Sequence, residues 1–306
     1  MRRVLKKEDL VTPKSVKFLY NNFLGNILLF LLTRRWISKL VGSYLDSKLS
    51  KKRIEKYIAK NNINMDLFIK EDYQSFNEFF TRRIKPENRP FNENKNAFVS
   101  PCDGKVSVYQ INEDTTFQIK GFTYTVETLL KNKELANKYQ NGYCIVLRLS
   151  VEDYHRYFYL DDCIKEKNIF IKGKLHTVQP YALSKRKVFS ENCREYTIMH
   201  TKNFGDIIQV EVGAMMVGRI VNNHQEGHYK RGEEKGKFEF GGSTIVLLVE
   251  KDKIILDEEF FINTKEDAET YVLCGEKIGY KKQKWDCYIS FLICLFSFFL
   301  YLFIYQ

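Results

Sequence analysis

The stretch Lys237-Phe-Glu-Phe-Gly-Gly-Ser-Thr-Ile-Val-Leu-Leu-Val-Glu250 constrains this chain more than any other. From Thr244 to Val249 the residues are β-branched and apolar, the pattern of a buried strand. Gly241 and Gly242 remove both β-carbons directly ahead of Ser243, which puts a hydroxyl at a tight, sterically open strand entrance. With the Gly242 carbonyl held against Ser243 Oγ, the hydroxyl can attack its own preceding peptide bond, because a fixed near-attack geometry replaces a costly encounter. The resulting ester can eliminate and leave a new chain that begins with a pyruvoyl group. Alone, Gly-Gly-Ser before a strand reads as a turn, so self-processing needs support from elsewhere.

A chain of 306 residues holds one large domain or two small ones, and a hydrophobic share of 44% argues against disorder. The net charge of +11 calls for an anionic partner. Lysines and arginines are scattered and no nucleic-acid module is visible, so a phospholipid surface is the better partner and nucleic acid is not expected. Seven cysteines without a C-x-x-C pair fit free thiols in a reducing compartment.

Phe18 to Leu32 is apolar but carries Asn21, Asn22, Asn26 and Gly25, and is followed by Arg34, Arg35 and Trp36. This suits a helix lying in the headgroup layer better than a spanning one; a core helix is the alternative. Helical spacing continues from Ile37 to Arg83, where Ser75 and Glu78 form a capping-box pattern. Residues 1–85 are therefore expected to be a basic, helical, membrane-associating region. Beyond Pro86 the runs at Lys105–Ile111, Cys144–Leu149, Ile207–Val212 and Lys253–Leu256 read as strands, with one helix near Val126–Tyr139. Residues 86–280 are expected to form a β-rich catalytic core. From Cys287 to Tyr305 no charge occurs, behind Lys281, Lys282, Lys284 and Trp285. This predicts a C-terminal transmembrane anchor over 285–306 with its N-terminal flank in the cytoplasm. The expected class is α+β.

Four polar stretches join the glycine pair and serine: Ser100-Pro-Cys-Asp-Gly-Lys105, Glu152-Asp-Tyr-His-Arg156, Gly173-Lys-Leu-His-Thr-Val-Gln-Pro180 and Val212-Gly-Ala-Met-Met-Val-Gly-Arg-Ile220. Ser243, Asp103, His155 and His176 could supply a nucleophile, an orienting carboxylate and a general base, if the fold brings them together. His224 and His228 stand four apart, but their glycine-containing polar setting reads as a loop, and no metal is expected.

These motifs resemble phosphatidylserine decarboxylase, in its bacterial-type branch with Gly-Gly-Ser-Thr at the processing site. The matching stretches are Phe79-Phe-Thr-Arg-Arg-Ile-Lys-Pro86, Ser100–Lys105, Ile119-Lys-Gly-Phe-Thr-Tyr124, Asp153-Tyr-His-Arg156, Val212–Gly218, Gly232-Glu-Glu-Lys-Gly236, Phe240-Gly-Gly-Ser-Thr244 and Gly275-Glu-Lys-Ile-Gly279, in the family's order from about Leu45 to Gly279. The resemblance implies a proenzyme that cuts itself between Gly242 and Ser243, with Ser243 becoming the pyruvoyl group of a small α chain that stays with the β chain, residues 1–242. Asp103 matches the carboxylate of the self-cleavage relay and Ser243 its nucleophile. His155 matches the histidine associated with protonation during decarboxylation.

The family's second histidine, the base of the relay, falls on Phe158, which cannot take a proton. Either His155 serves both steps, or His176 fills the gap, or processing is impaired; His176 is the expected base. Decarboxylating an amino acid leaves electrons on its α-carbon that ordinary side chains cannot hold. A pyruvoyl carbonyl can, through a Schiff base with the substrate amine. The implied substrate is phosphatidylserine at an anionic membrane surface, and the implied product is phosphatidylethanolamine. A homodimer is left open. The alternatives are a lipid-directed serine hydrolase with Ser243 intact and a lipid-binding relative that no longer cuts itself.

Overall fold

The computed structural model describes residues 2–6, 12–215, 219–240 and 243–283. Among these, ten strands join into one antiparallel sheet. Its middle runs Glu269–Val272, Gly104–Gln110, Tyr143–Leu149, Ser243–Val249, Gly205–Val212 and Arg194–Thr201. The strand Ser243–Val249 is thus central, bonded to Tyr143–Leu149 on one side and Gly205–Val212 on the other.

All seven residues of that strand are buried, because both sheet faces are covered. Ile245, Leu247 and Val249 pack with Ile145, Leu147 and Leu149 on one face. Val246 and Leu248 pack with Cys144, Val146, Ile208 and Val210 on the other. Full burial of such a side chain contributes about 1.5–3 kcal/mol, so the apolar run that stood out in the sequence is the spine of both cores. Three smaller sheets flank it; in one, Glu234–Phe238 lies between Ile220–Asn222 and Arg156–Phe158.

The α+β class and the β-rich core hold, with differences in detail. The expected helix near Val126–Tyr139 is two short ones, Val126–Leu130 and Lys133–Asn137. Lys131 adopts a left-handed conformation between them (φ 52°), and Asn132 caps the second by accepting from the Leu135 amide. The N-terminal region is not helical throughout. Val4–Leu5 adds an edge strand to the main sheet beside Glu269–Val272, and Arg2 anchors it to Asp257 (3.1 Å), Glu276 (2.6 Å) and Glu259.

Five helices follow: α1 (Lys14–Asn21), α2 (Phe23–Leu32), α3 (Arg35–Asp46), α4 (Ile54–Asn61) and α5 (Phe76–Phe80). The single helix expected over Phe18–Leu32 is bent by 101° between α1 and α2. Asn22 is extended at the break, and a β-carbon on Gly25 would collide with the Phe18 carbonyl, so glycine permits the close fold-back. Among the described residues no single helix is long and apolar enough to cross a membrane, although α1 and α2 together reach that length and composition. The Ser75–Glu78 pattern is half realised. Ser75 Oγ accepts from the Glu78 amide, but the Glu78 carboxylate turns to the Gln74 amide instead of that of Ser75. The anchor expected over 285–306 lies outside the described residues.

Candidate active site

Ser243 opens its strand opposite Leu149, on the face that carries Ile245 and Leu247. It is fully buried, and its Oγ has no hydrogen-bond partner among the described residues. A buried hydroxyl without a partner costs roughly 1–3 kcal/mol, and the Thr244 hydroxyl beside it is in the same state among the described residues. Gly241 and Gly242 lie outside the described residues.

His155 is delivered by the turn that leaves the neighbouring strand Tyr143–Leu149. The Asp153 carboxylate closes that turn by accepting from the Ser150 amide (2.6 Å), and Lys105 Nζ holds the same oxygen at 2.5 Å. The Asp153 carbonyl lies 2.8 Å from His155 Nδ1. A carbonyl oxygen can only accept, so Nδ1 carries the ring proton and Nε2 presents a bare lone pair. Among the described residues that Nε2 is buried without a hydrogen-bond partner, as is the Nε2 of His176. Burial, above all, lowers the His155 pKa to about 3 and keeps the ring neutral.

Aromatic packing links this histidine to the residues before the serine. The Phe80 ring sits 4.2 Å from His155 and 5.2 Å from Phe240, and the Phe238 amide donates to the His155 carbonyl. Phe240 also packs edge-on to Phe76, and its amide donates to Asn77 Oδ1. The α4 helix closes the same corner, with the Tyr57 hydroxyl donating to the Val151 carbonyl. Motifs far apart in sequence therefore meet. Arg156 donates to the Thr81 carbonyl, Lys105 pairs with Asp153, and Ser100 exchanges backbone bonds with Gly275 and Glu276.

Asp103 is buried, but both its oxygens are taken. Arg89 grips them through Nε (2.7 Å) and a terminal nitrogen (2.6 Å), and the Cys274 amide adds a third bond. Burial pushes the Asp103 carboxyl up, against the pull of Arg89. No described hydrogen bond joins Asp103 to His155 or Ser243.

His176 sits elsewhere, beneath α1. Its Nδ1 lies 3.1 Å from the Tyr20 hydroxyl, its Nε2 is 3.5 Å from Glu191, and Asn192 brackets its backbone. Burial lowers its pKa to about 4. None of its contacts among the described residues reaches Ser243. Phe158 turns its ring toward Phe91 and Tyr154, while its amide bonds the Pro101 carbonyl next to the Asp103 turn. His224 stacks on Tyr229, and among the described residues no group of three or more His, Cys, Asp or Glu side chains could hold a metal ion.

Sequence reasoning missed Lys105, Asp153 and Arg89. The first two lay inside quoted motifs, but only the fold puts an ammonium beside a carboxylate 48 residues away. A cleft of about 610 Å³ runs past Lys105, Arg148, Asp153, Met215 and Phe240.

Comparison with known proteins accounts for this convergence of motifs. The family model described as phosphatidylserine decarboxylase matches residues 76–280. The phosphatidylserine decarboxylase proenzyme 2 of Clostridium acetobutylicum is 45% identical over 266 residues, 87% of this chain and 91% of that one. The proenzyme of Clostridium novyi is 44% identical over 280 residues, 90% and 95% of the two chains. That of Desulfitobacterium hafniense is 40% identical over 278 residues, 89% and 93%. With the model covering most of the chain and identity sustained along nearly all of it, the chain belongs to the phosphatidylserine decarboxylase family.

Proposed function

We propose that this chain is a proenzyme which cuts itself between Gly242 and Ser243 and then decarboxylates phosphatidylserine to phosphatidylethanolamine and carbon dioxide. The observation that carries this reading is that Ser243 Oγ and His155 Nε2, both buried without a hydrogen-bond partner among the described residues, lie on segments that share the Phe80 ring. One is a nucleophile with a proton to lose; the other is a lone pair with none to accept.

His155 takes the hydroxyl proton as Ser243 Oγ attacks the Gly242 carbonyl. Collapse of the adduct breaks the peptide bond and leaves an ester with a free Ser243 amine. Loss of the Ser243 α-proton expels the Gly242 carboxylate, and water then replaces the nitrogen, which leaves as ammonia. Residues 243–306 are left headed by a carbonyl. The surroundings fit a pyruvoyl group there, since residue 243 is buried at the head of a strand that is buried along its whole length; Ser243 Oγ itself departs with the Gly242 carboxylate. Such a group supplies the electron sink that amino-acid decarboxylation requires. His155, once it has taken up a proton at Nε2, is assigned as the donor of the proton that replaces carbon dioxide.

This assigns the base to His155 and not to His176, whose ring nitrogens face Tyr20 and Glu191. Asp103, paired with Arg89, is assigned to holding the Pro101–Gly104 turn against Cys274. After the cut, the strand Ser243–Val249 still lies between two strands of the larger chain, so the two chains stay together. Exposed Phe23, Leu24 and Phe30, close to Arg34, support an interfacial seat on an anionic bilayer, and the core is assigned to the cytoplasmic side. The segment 285–306, without charge from Cys287 onward, would add an anchor.

Phosphatidylserine labelled in its serine carboxyl tests the reading. The cut protein should release labelled carbon dioxide, and Ser243→Ala protein should stay whole and release none. Release by the uncut variant would refute the proposal.

A further inference from the structure

Phe240 lines two clefts. One runs past Arg3, Lys105 and Arg148, of which the two buried cations are already committed: Lys105 to Asp153 and Glu152, Arg148 to Glu269. The other, of about 440 Å³, opens between α3 and the run from Arg219 to Phe240. Its cations are differently placed. Arg219 meets Glu239 at 3.1 Å and Asp46 at 3.7 Å, but among the described residues Arg35 and Lys39 have no acidic partner. Arg35 rests its guanidinium 5.1 Å from the Phe170 ring, an arrangement that leaves its N–H edges free to bond.

The α3 helix sets this cleft beside an apolar stripe. Arg35, Lys39, Gly42 and Asp46, at helical spacing, line the cleft. Trp36, Leu40 and Tyr44, on the adjoining stripe of the helix, are 56%, 62% and 39% exposed. Gly42 keeps the cleft open: a β-carbon there would meet nothing within 4 Å. A cationic slot therefore borders an exposed apolar stripe at one end and Phe240, three residues before Ser243, at the other.

We propose that this slot binds the phosphodiester of the lipid substrate, with Lys39 and Arg35 as its charge partners. The acyl side of the lipid lies along Trp36, Leu40 and Tyr44, and the serine head passes Phe240 toward residue 243. The inference rests on the function proposed above and adds the element that reads the phosphate. A phosphate held here can belong to the substrate or to any anionic lipid of the surface, and the two sources are separable.

The test uses self-cleaved wild type and the Lys39→Gln, Arg35→Gln and Gly42→Leu variants. Gly42→Leu fills the slot without changing charge and raises helix propensity, so it guards against misfolding of the charge variants. All three should be cut normally, as intact mass will show. On phosphatidylserine in neutral-detergent mixed micelles, KM should rise about tenfold with kcat within about twofold, the loss of a charge-assisted contact made in substrate and transition state alike. Binding to vesicles of phosphatidylcholine and phosphatidylglycerol, without phosphatidylserine, should stay within about twofold of wild type. An unchanged KM overturns the proposal. A KM rise matched by an equal loss of vesicle binding also overturns it, because the cations would then serve the surface and not the substrate. Wild type that releases no carbon dioxide overturns the underlying function and this inference with it, an outcome visible before any variant is compared.

Discussion

A histidine whose Nδ1 donates to a carbonyl of its own turn has one lone pair to offer, and His155 keeps that lone pair buried, with its ring against Phe80. The same burial makes the ring a source of acid sensitivity. Folded, His155 and His176 take up protons only near pH 3 and pH 4, against about 6.5 for an unperturbed histidine. Below about pH 6.5 the unfolded chain binds more protons than the folded one, so stability present at neutral pH is lost as the pH falls toward those values. In uncut Ser243→Ala protein the urea midpoint should therefore drop on acidification from pH 6.5 to 4. Each histidine contributes up to about 1.4 kcal/mol per pH unit, and His155→Gln should reduce the slope. An unchanged slope in that variant would mean that His155 is not held neutral by burial. The position of His155 was legible, because a side chain just after a strand sits at the sheet's rim. Its tautomer was not, since that depends on a turn closed by Lys105 from another strand. The expectation for His176 rested on Phe158 being unable to take a proton, and nothing local in the sequence reveals that Tyr20, 156 residues away, occupies its Nδ1.

At the scale of elements, the chain's strands were easier to read than its helices. Thr244–Val249 announced itself because it is buried on both faces and needs no alternation. The bend at Asn22 and the break at Lys131 were hidden, because each is set by backbone conformation and long-range packing that override an apolar rhythm. The strand Glu234–Phe238, which leads toward Ser243, is fastened by a pair no motif suggested. Lys235, on the strand Glu234–Phe238, places its ammonium 2.7 Å from Glu211 of the main sheet, with both side chains fully buried and Asn222 also bonded to the ammonium. Removing one partner strands a charge in the core. Lys235→Met should destabilise the protein by about 3–5 kcal/mol, and adding Glu211→Met should recover most of it. The comparison is by denaturant unfolding in the Ser243→Ala background. A single variant as stable as its parent would show that the pair is not what fastens this strand.

The whole molecule is organised by one insertion: the strand that would head the small chain lies in the middle of a sheet otherwise built mainly from the larger one. Cleavage can thus release a terminus without releasing a chain. The outer surface follows a second logic, with Phe23 and Leu24 of α2 at 81% and 70% exposure. Phe23→Ser with Leu24→Ser should weaken binding to anionic vesicles at least about tenfold, given about 1.5–3 kcal/mol for each such side chain buried, while leaving self-cleavage intact. Vesicle co-sedimentation beside intact mass reads both, and unchanged binding would remove α2 from the membrane contact. An anionic surface as partner is an expectation drawn from charge, and which helices would meet it depends on how α1 and α2 fold back. The most direct test of self-processing is the intact mass of freshly purified protein beside its Ser243→Ala, His155→Ala and His176→Ala variants. Wild type and His176→Ala should each give two chains divided after Gly242, the smaller headed by a carbonyl, with Ser243→Ala and His155→Ala whole. A single uncut wild-type chain, or His155→Ala protein that cuts as fast as wild type, would contradict it.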